Sequence, residues 1–291
     1  MLDDKLKSHF QLHLIVFIWG FTAVLGALIS IKEASLVWYR LLFAQFFLLM
    51  YLLFTKKSLK LPFKEVLKIS FVGFLIALHW ITFFTAINIS NVSITLAMFS
   101  LGAFLASILE PIFYNRKILL YEVLFGLIII IGLSIIMKVE IHFLNGILCA
   151  LFSIFIGVIF TLLNGKLIQK HDSSVIALYE FLAGFLFVTV YLFFQDKFCS
   201  KFFEISFHDL ILILVLSSIC TAFAFTASVN VMKKLSPYTV MLTTNLEPVY
   251  GIFLAYFIIG GNEKMSISFY IGSVIILITV ILNGIFKHLK K

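Results

Sequence analysis

Glu247 is followed at once by Pro248, inside a long apolar run, and is preceded by Thr243, Thr244 and Asn245. A carboxylate among apolar residues is costly to desolvate, so it needs a partner or a wet cavity. Proline has no N–H, so Pro248 cannot bond the carbonyl of Thr244, and a helix here should kink. The kink would leave a backbone oxygen beside a carboxylate, two hydroxyls and an amide. Such a set can bind a small polar ligand or exchange a proton during transport. The plainer use is a structural joint, with Glu247 bonded to a neighbouring helix.

Arg40 lies in another apolar run. Its planar fork suits a carboxylate, although snorkelling or bonding to a helix carbonyl would also explain it. His79 and Trp80 adjoin in a third run. A neutral imidazole can bind substrate or relay a proton, and the indole can stack on a ligand; a packed histidine bonded to the next helix is the alternative. Trp19 and Asn164 are weaker candidates. Pro111 is a second candidate for a helix kink. Gly102, Ala103, Ala106 and Ser107 form a small-residue face suited to close helix packing.

Helices must position these groups. Of 291 residues, 62% are hydrophobic and 12% charged, whereas soluble domains carry about 25% charged residues. The apolar runs are about 18–22 residues long, enough to cross a hydrocarbon layer about 30 Å thick. They predict an all-α integral membrane protein with about ten transmembrane helices, at roughly 12–31, 36–54, 69–87, 92–113, 119–137, 143–163, 175–194, 210–230, 238–258 and 267–286. The first run is already of membrane length and lacks a cleavage site, so it is read as a retained helix.

With the N-terminus inside, sixteen Lys and Arg fall in inner loops and tails and five in outer ones. That bias places both ends in the cytoplasm. It also accounts for the net charge of +8 without a nucleic-acid partner.

The chain also reads as two halves. The run beginning at Ser35 and the run beginning at Ser174 share a pattern, with Arg40 and Glu180 in corresponding places. Asn115-Arg116-Lys117 and Asn262-Glu263-Lys264 each precede a Gly-containing helix. Five helices per half is odd, so the second half, 142–291, should insert inverted relative to the first, 1–141. Leu109-Glu110-Pro111 and Leu246-Glu247-Pro248 are the same tripeptide but out of this register. The register sets Glu247-Pro248 opposite about Gly102-Ala103. Glu110 and Glu247 are therefore expected to be different features.

Trp19-Gly20, Tyr39-Arg40-Leu41, Leu246-Glu247-Pro248-Val249, Asn262-Glu263-Lys264 and Gly272 together resemble the drug/metabolite transporter superfamily, EamA-type branch. The resemblance spans the whole chain. It implies a ten-helix inverted-repeat fold and movement of small metabolites such as amino acids across the cytoplasmic membrane.

The leading expectation is a secondary transporter working by alternating access. Its partners would be a small-molecule substrate, protons and the lipid bilayer. Neither a cofactor nor a metal is expected, because Cys149, Cys199 and Cys220 have no ligand spacing and the sequence carries no metalloprotease, nucleophile-elbow or phosphate-loop motif. A lipid-directed membrane enzyme would want clustered His or Asp at an interface. A receptor or scaffold would want long loops or tails.

Overall fold

A computed structural model describes residues 2–117, 119–139, 141–260 and 266–289. No strand occurs among them. Asn262-Glu263-Lys264, Lys290 and Lys291 lie outside the described residues.

The helices are α1 (Leu2–Leu28), α2 (Glu33–Phe54), α3 (Phe63–Ile89), α4 (Val92–Phe99), α5 (Gly102–Tyr114), α6 (Leu120–Val139), α7 (Leu144–Leu167), α8 (Ser173–Phe194), α9 (Phe207–Val215), α10 (Ala224–Val231), α11 (Pro237–Thr244), α12 (Glu247–Ile258) and α13 (Ile267–Leu289). A π-helical stretch, Leu216–Phe223, joins α9 to α10. Seven segments among the described residues are long and apolar enough to cross a membrane. Large apolar side chains such as Phe54, Phe194 and Phe207 stand exposed on the outside, as lipid-facing surfaces require.

Two expected spans are broken in the middle. Ser100 N–H bonds Ala97 O at 3.2 Å and Leu101 N–H bonds Met98 O at 3.1 Å, which separates α4 from α5. Asn245 N–H bonds Leu242 O at 3.3 Å and Leu246 N–H bonds Thr243 O at 3.0 Å, which separates α11 from α12. Each residue of the second set lies 145 positions after its counterpart in the first. The caps match too. The Asn91 side chain accepts Ile94 N–H at 2.8 Å, and Ser236 Oγ accepts Thr239 N–H at 3.2 Å. Glu247-Pro248 thus occupies the places of Gly102-Ala103, in the register read from the sequence.

This changes the role expected of Pro248. It sits in the first turn of α12, where a missing N–H costs nothing because that donor has no intrahelical partner. The matching break holds with Ala103 in its place, so tight i→i+3 turns make the break rather than the proline. Pro111, in contrast, lies within α5.

Close approaches fix the bundle. A Cβ on Gly20 of α1 would stand 2.7 Å from Tyr250 Cβ of α12, and one on Gly251 would stand 3.2 Å from Gly20 O. A Cβ on Gly73 of α3 would stand 2.3 Å from Glu180 O of α8. The small-residue face of α5 is buried and packs against α7 and α11, so close packing accounts for it.

Candidate functional site

The halves meet around a cavity of about 90 Å³, lined by α1, α2, α3, α7, α11, α12 and the π-helical region. Six sequence candidates face it: Trp19, Arg40, His79, Trp80, Thr244 and Glu247. Asn164 lines it as well.

Arg40 is 2% exposed. Its Nε donates to Thr221 Oγ1 at 2.7 Å, and its Cζ lies 3.8 Å from the centroid of the Trp80 ring. A desolvated cation on an indole face gains about 2 kcal/mol. Arg40 Nη1 has no partner. The fork is thus anchored on one side, stacked on one face, and left with a free donor. That disposition favours an incoming acceptor over snorkelling to the surface.

Thr221 owes its position to the π-helix. Its hydroxyl bonds Leu216 O, five residues back, at 2.7 Å. One residue extra per turn rotates everything beyond it, so an ordinary 3.6-residue template could not find this anchor. Trp19 Nε1 donates to Cys220 O in the same stretch at 3.2 Å, which holds the indole at the wall.

Glu247 is 7% exposed and opens α12 beside Thr244. Among the described residues it makes no hydrogen bond or ion pair. Thr244 Oγ1 is committed to Val240 O at 2.9 Å. The site therefore presents one guanidinium and one carboxyl side chain to a common space with mainly aromatic and aliphatic walls.

His79 Nδ1 lies 2.8 Å from Ser153 O, while Ser153 Oγ donates to His79 O at 2.8 Å. With Nδ1–H donating to the carbonyl, the neutral ring turns Nε2 out as an acceptor. Phe99 and Phe160 flank the imidazole at ring-centroid distances of 5.7 and 5.2 Å.

Asn245 does not join this group. It follows Thr244 by one residue, and the roughly 100° step of a helical turn turns it away from the cavity. There it lines a groove with Pro248, Tyr256 and Ser273. Glu110 is likewise a different feature from Glu247. Its carboxylate accepts Arg116 Nε at 2.8 Å and Tyr238 N–H at 3.0 Å, tying the end of α5 to the start of α11.

Side-chain contacts also tie helix ends together. Ser30 N–H donates to Asp209 at 2.9 Å and Ser30 Oγ also bonds that carboxylate, linking the end of α1 to α9. Tyr114 OH donates to Leu162 O at 2.9 Å. Lys57 Nζ pairs with Asp172 at 2.9 Å just outside α8. Burial works against the charged form of Asp172, but Lys57 and the Ser174 N–H outweigh it and hold the carboxyl below its ordinary range.

The EamA-like transporter family model matches residues 6–138 and again residues 144–285. The chain belongs to the EamA-like transporter family. Its two matched segments make this EamA-like protein a multi-pass membrane protein with an inverted repeat. One solved crystal structure superposes on 95% of this chain and 96% of its own, with a TM-score of 0.72 and 12% identity; at that identity the likeness is one of fold. No curated protein matches.

Proposed function

We propose that this EamA-like protein is a secondary transporter that moves a small zwitterionic, amino-acid-like metabolite by alternating access. The observation that carries the reading is the pairing of a free Arg40 Nη1 with Glu247 in the lining of one cavity. A substrate carboxylate would take the Arg40 fork. Glu247 would take either the substrate ammonium or a proton, and that competition would couple the two flows. His79 Nε2 would accept a third hydrogen bond. A cavity of about 90 Å³ holds only a small substrate unless its walls move.

The accompanying proposals are ten spans, repeats at 1–141 and 142–291, both termini in the cytoplasm, residence in the cytoplasmic membrane and no enzymatic activity. The charge bias of the loops supports the orientation. The paired breaks at 100–101 and 245–246 support an inverted repeat whose substrate sits between its halves.

The test is counterflow in proteoliposomes. Vesicles loaded with unlabelled amino acids should transiently concentrate at least one member of an equimolar ¹³C-labelled amino-acid mixture. Failure to concentrate any of them, with protein correctly inserted, would remove the amino-acid-like assignment.

A further inference from the structure

Glu180 is the buried carboxyl that the site above does not use. It stands seven residues into α8, as Arg40 stands seven residues into α2, and both helices are 22 residues long. In an inverted repeat those equal depths fall on opposite sides of the midplane. Arg40 therefore occupies the half nearer the α1–α9 link, and Glu180 the half nearer the Lys57–Asp172 pair.

Glu180 is 0% exposed, and neither carboxyl oxygen has a hydrogen-bond partner. The Asn164 side chain lies against this carboxyl, yet no aligned hydrogen bond forms, and both polar atoms of Asn164 are also unpartnered. Asn164 lines the central cavity. Two adjacent, unsatisfied polar side chains are thus buried together, one of them at the cavity wall.

Among the described residues, none bonds or pairs with Glu180 as a counter-charge. Gly73 of α3 and Gly184 of α8 let the two backbones meet; on α3, His79 is bonded to Ser153, and Glu65 pairs with Lys68 and His171 at the helix end. On α2, Arg40 is anchored to Thr221 and stacked on Trp80, and its free Nη1 makes no bond to Glu180. On α7, Lys166 lies over the rings of Phe113 and Tyr114, and α10 carries no charged residue. On α8 itself, Tyr179 OH donates to Leu59 O. Leaving a buried acceptor unsatisfied is costly, so a carboxyl retained here needs a donor that comes and goes.

We propose that Glu180, with Asn164 as its link to the cavity, is a proton-loading site for the half of the transport path nearer the Lys57–Asp172 pair. The step is a proton transfer alone. Hydronium gives its proton to a Glu180 oxygen and leaves as water, and the reverse step releases it; no other bond changes. The Glu180 O–H can then donate to Asn164 Oδ1, and Asn164 and Glu247 line the same cavity, through which water would carry the proton between them.

This inference rests on the transport reading, and its test keeps the two apart. Counterflow of the ¹³C amino-acid mixture is measured without a pH gradient, and net uptake is measured with one. A one-unit gradient can drive up to about tenfold accumulation per coupled proton. Glu180→Gln keeps shape and hydrogen bonding. It should retain counterflow and the pH dependence of substrate binding, and should lose the gradient-driven accumulation. Difference infrared spectra supply a readout independent of transport: the parent should show a buried carboxylic-acid band that Glu180→Gln lacks and that Asn164→Leu shifts.

A Glu180→Gln protein that responds to the gradient as the parent does would overturn the proposal. So would a parent that exchanges substrate with no response to the gradient, or unchanged infrared spectra. Absence of counterflow in the parent would instead count against the transport reading, and the infrared band would then decide the proton site. Should Glu180→Gln not fold, the infrared spectra of the parent and Asn164→Leu make the test: a shifted buried carboxylic-acid band supports the proposal, and an unshifted one overturns it.

Discussion

The breaks at 100–101 and 245–246 share their cap positions, their turn hydrogen bonds and their register, yet only one of them carries a titratable side chain. The first opens into Gly102-Ala103, which pack; Gly102 faces Met241 and Ile154. The second opens into Glu247-Pro248 and sets a carboxylate at the cavity. The backbone device is thus built twice by the repeat, while the charge is placed once. Arg40 and Glu180 show the same division, with equivalent places in the fold, opposite charges, and one in the cavity while the other is behind its wall. Symmetry accounts for the scaffold here, and departures from symmetry account for the site.

The largest effect that would sharpen this comparison is expected at Glu247. Glu247→Ala should lower counterflow about 100-fold, within the 2–5 kcal/mol typical of removing one member of a buried charge arrangement. Gly102→Ala, at the matching place, should cost about 1 kcal/mol of stability, since its new Cβ meets the flexible Met241 tip, and should leave transport intact. Equal losses of transport at both places, read against the amount of folded protein by size-exclusion chromatography, would erase the distinction between the breaks.

Arg40→Lys comes next. Lysine keeps the charge but loses the fork and its stacking geometry. The loss of a charge-assisted hydrogen bond, about 1.5–3 kcal/mol, should raise the half-saturating substrate concentration about 10- to 100-fold at unchanged protein level. Parallel loss of folded protein would make Arg40 structural.

Pro248→Ala should do little, because the break at 100–101 stands with Ala103 in that position. The expected cost is about 1 kcal/mol or less, through the unfolded chain, with counterflow retained. Collapse of transport in a stable Pro248→Ala protein would show that the second break depends on its proline after all.

The smallest effect concerns the Lys57–Asp172 pair. Asp172 has a depressed carboxyl, so its contribution is fully present above the ordinary value of 3.8 and disappears as the pH falls through the lower native value. The pair is about one-third exposed, so its contribution is at most about 1 kcal/mol. Thermal melts of Lys57→Met and parent should differ slightly at neutral pH and converge in acid; a constant difference across that range would contradict the assignment.

Much of this was legible because desolvation limits what an apolar run can hold. Glu247, Arg40, His79, Trp80, Trp19 and Thr244 stand out as polar or aromatic groups in membrane-length segments, and the fold gathers all six. The 145-residue register could be read from flanking residues alone. Asn245 was misplaced because proximity in sequence to Thr244 says nothing about which face a residue takes once the helix breaks. Pro248 seemed to make the kink because a sequence shows a missing donor but does not show a tight turn that breaks the helix without it. Thr221 was invisible because the π-helix alters the periodicity on which such readings depend. Glu180 was seen only as Arg40's counterpart; its unpartnered burial beside Asn164 is a property of packing.

The most direct test of the central claim is discrimination among three matched compounds: an amino acid, its α-hydroxy acid and its amide. The hydroxy acid lacks the ammonium, and the amide lacks the carboxylate. For any amino acid that the parent transports, competition in counterflow should rank the zwitterion well above both analogues. Arg40→Lys should lose most of its advantage over the amide, and Glu247→Gln most of its advantage over the hydroxy acid. Equal competition by all three compounds in the parent protein would contradict a site built on Arg40 and Glu247.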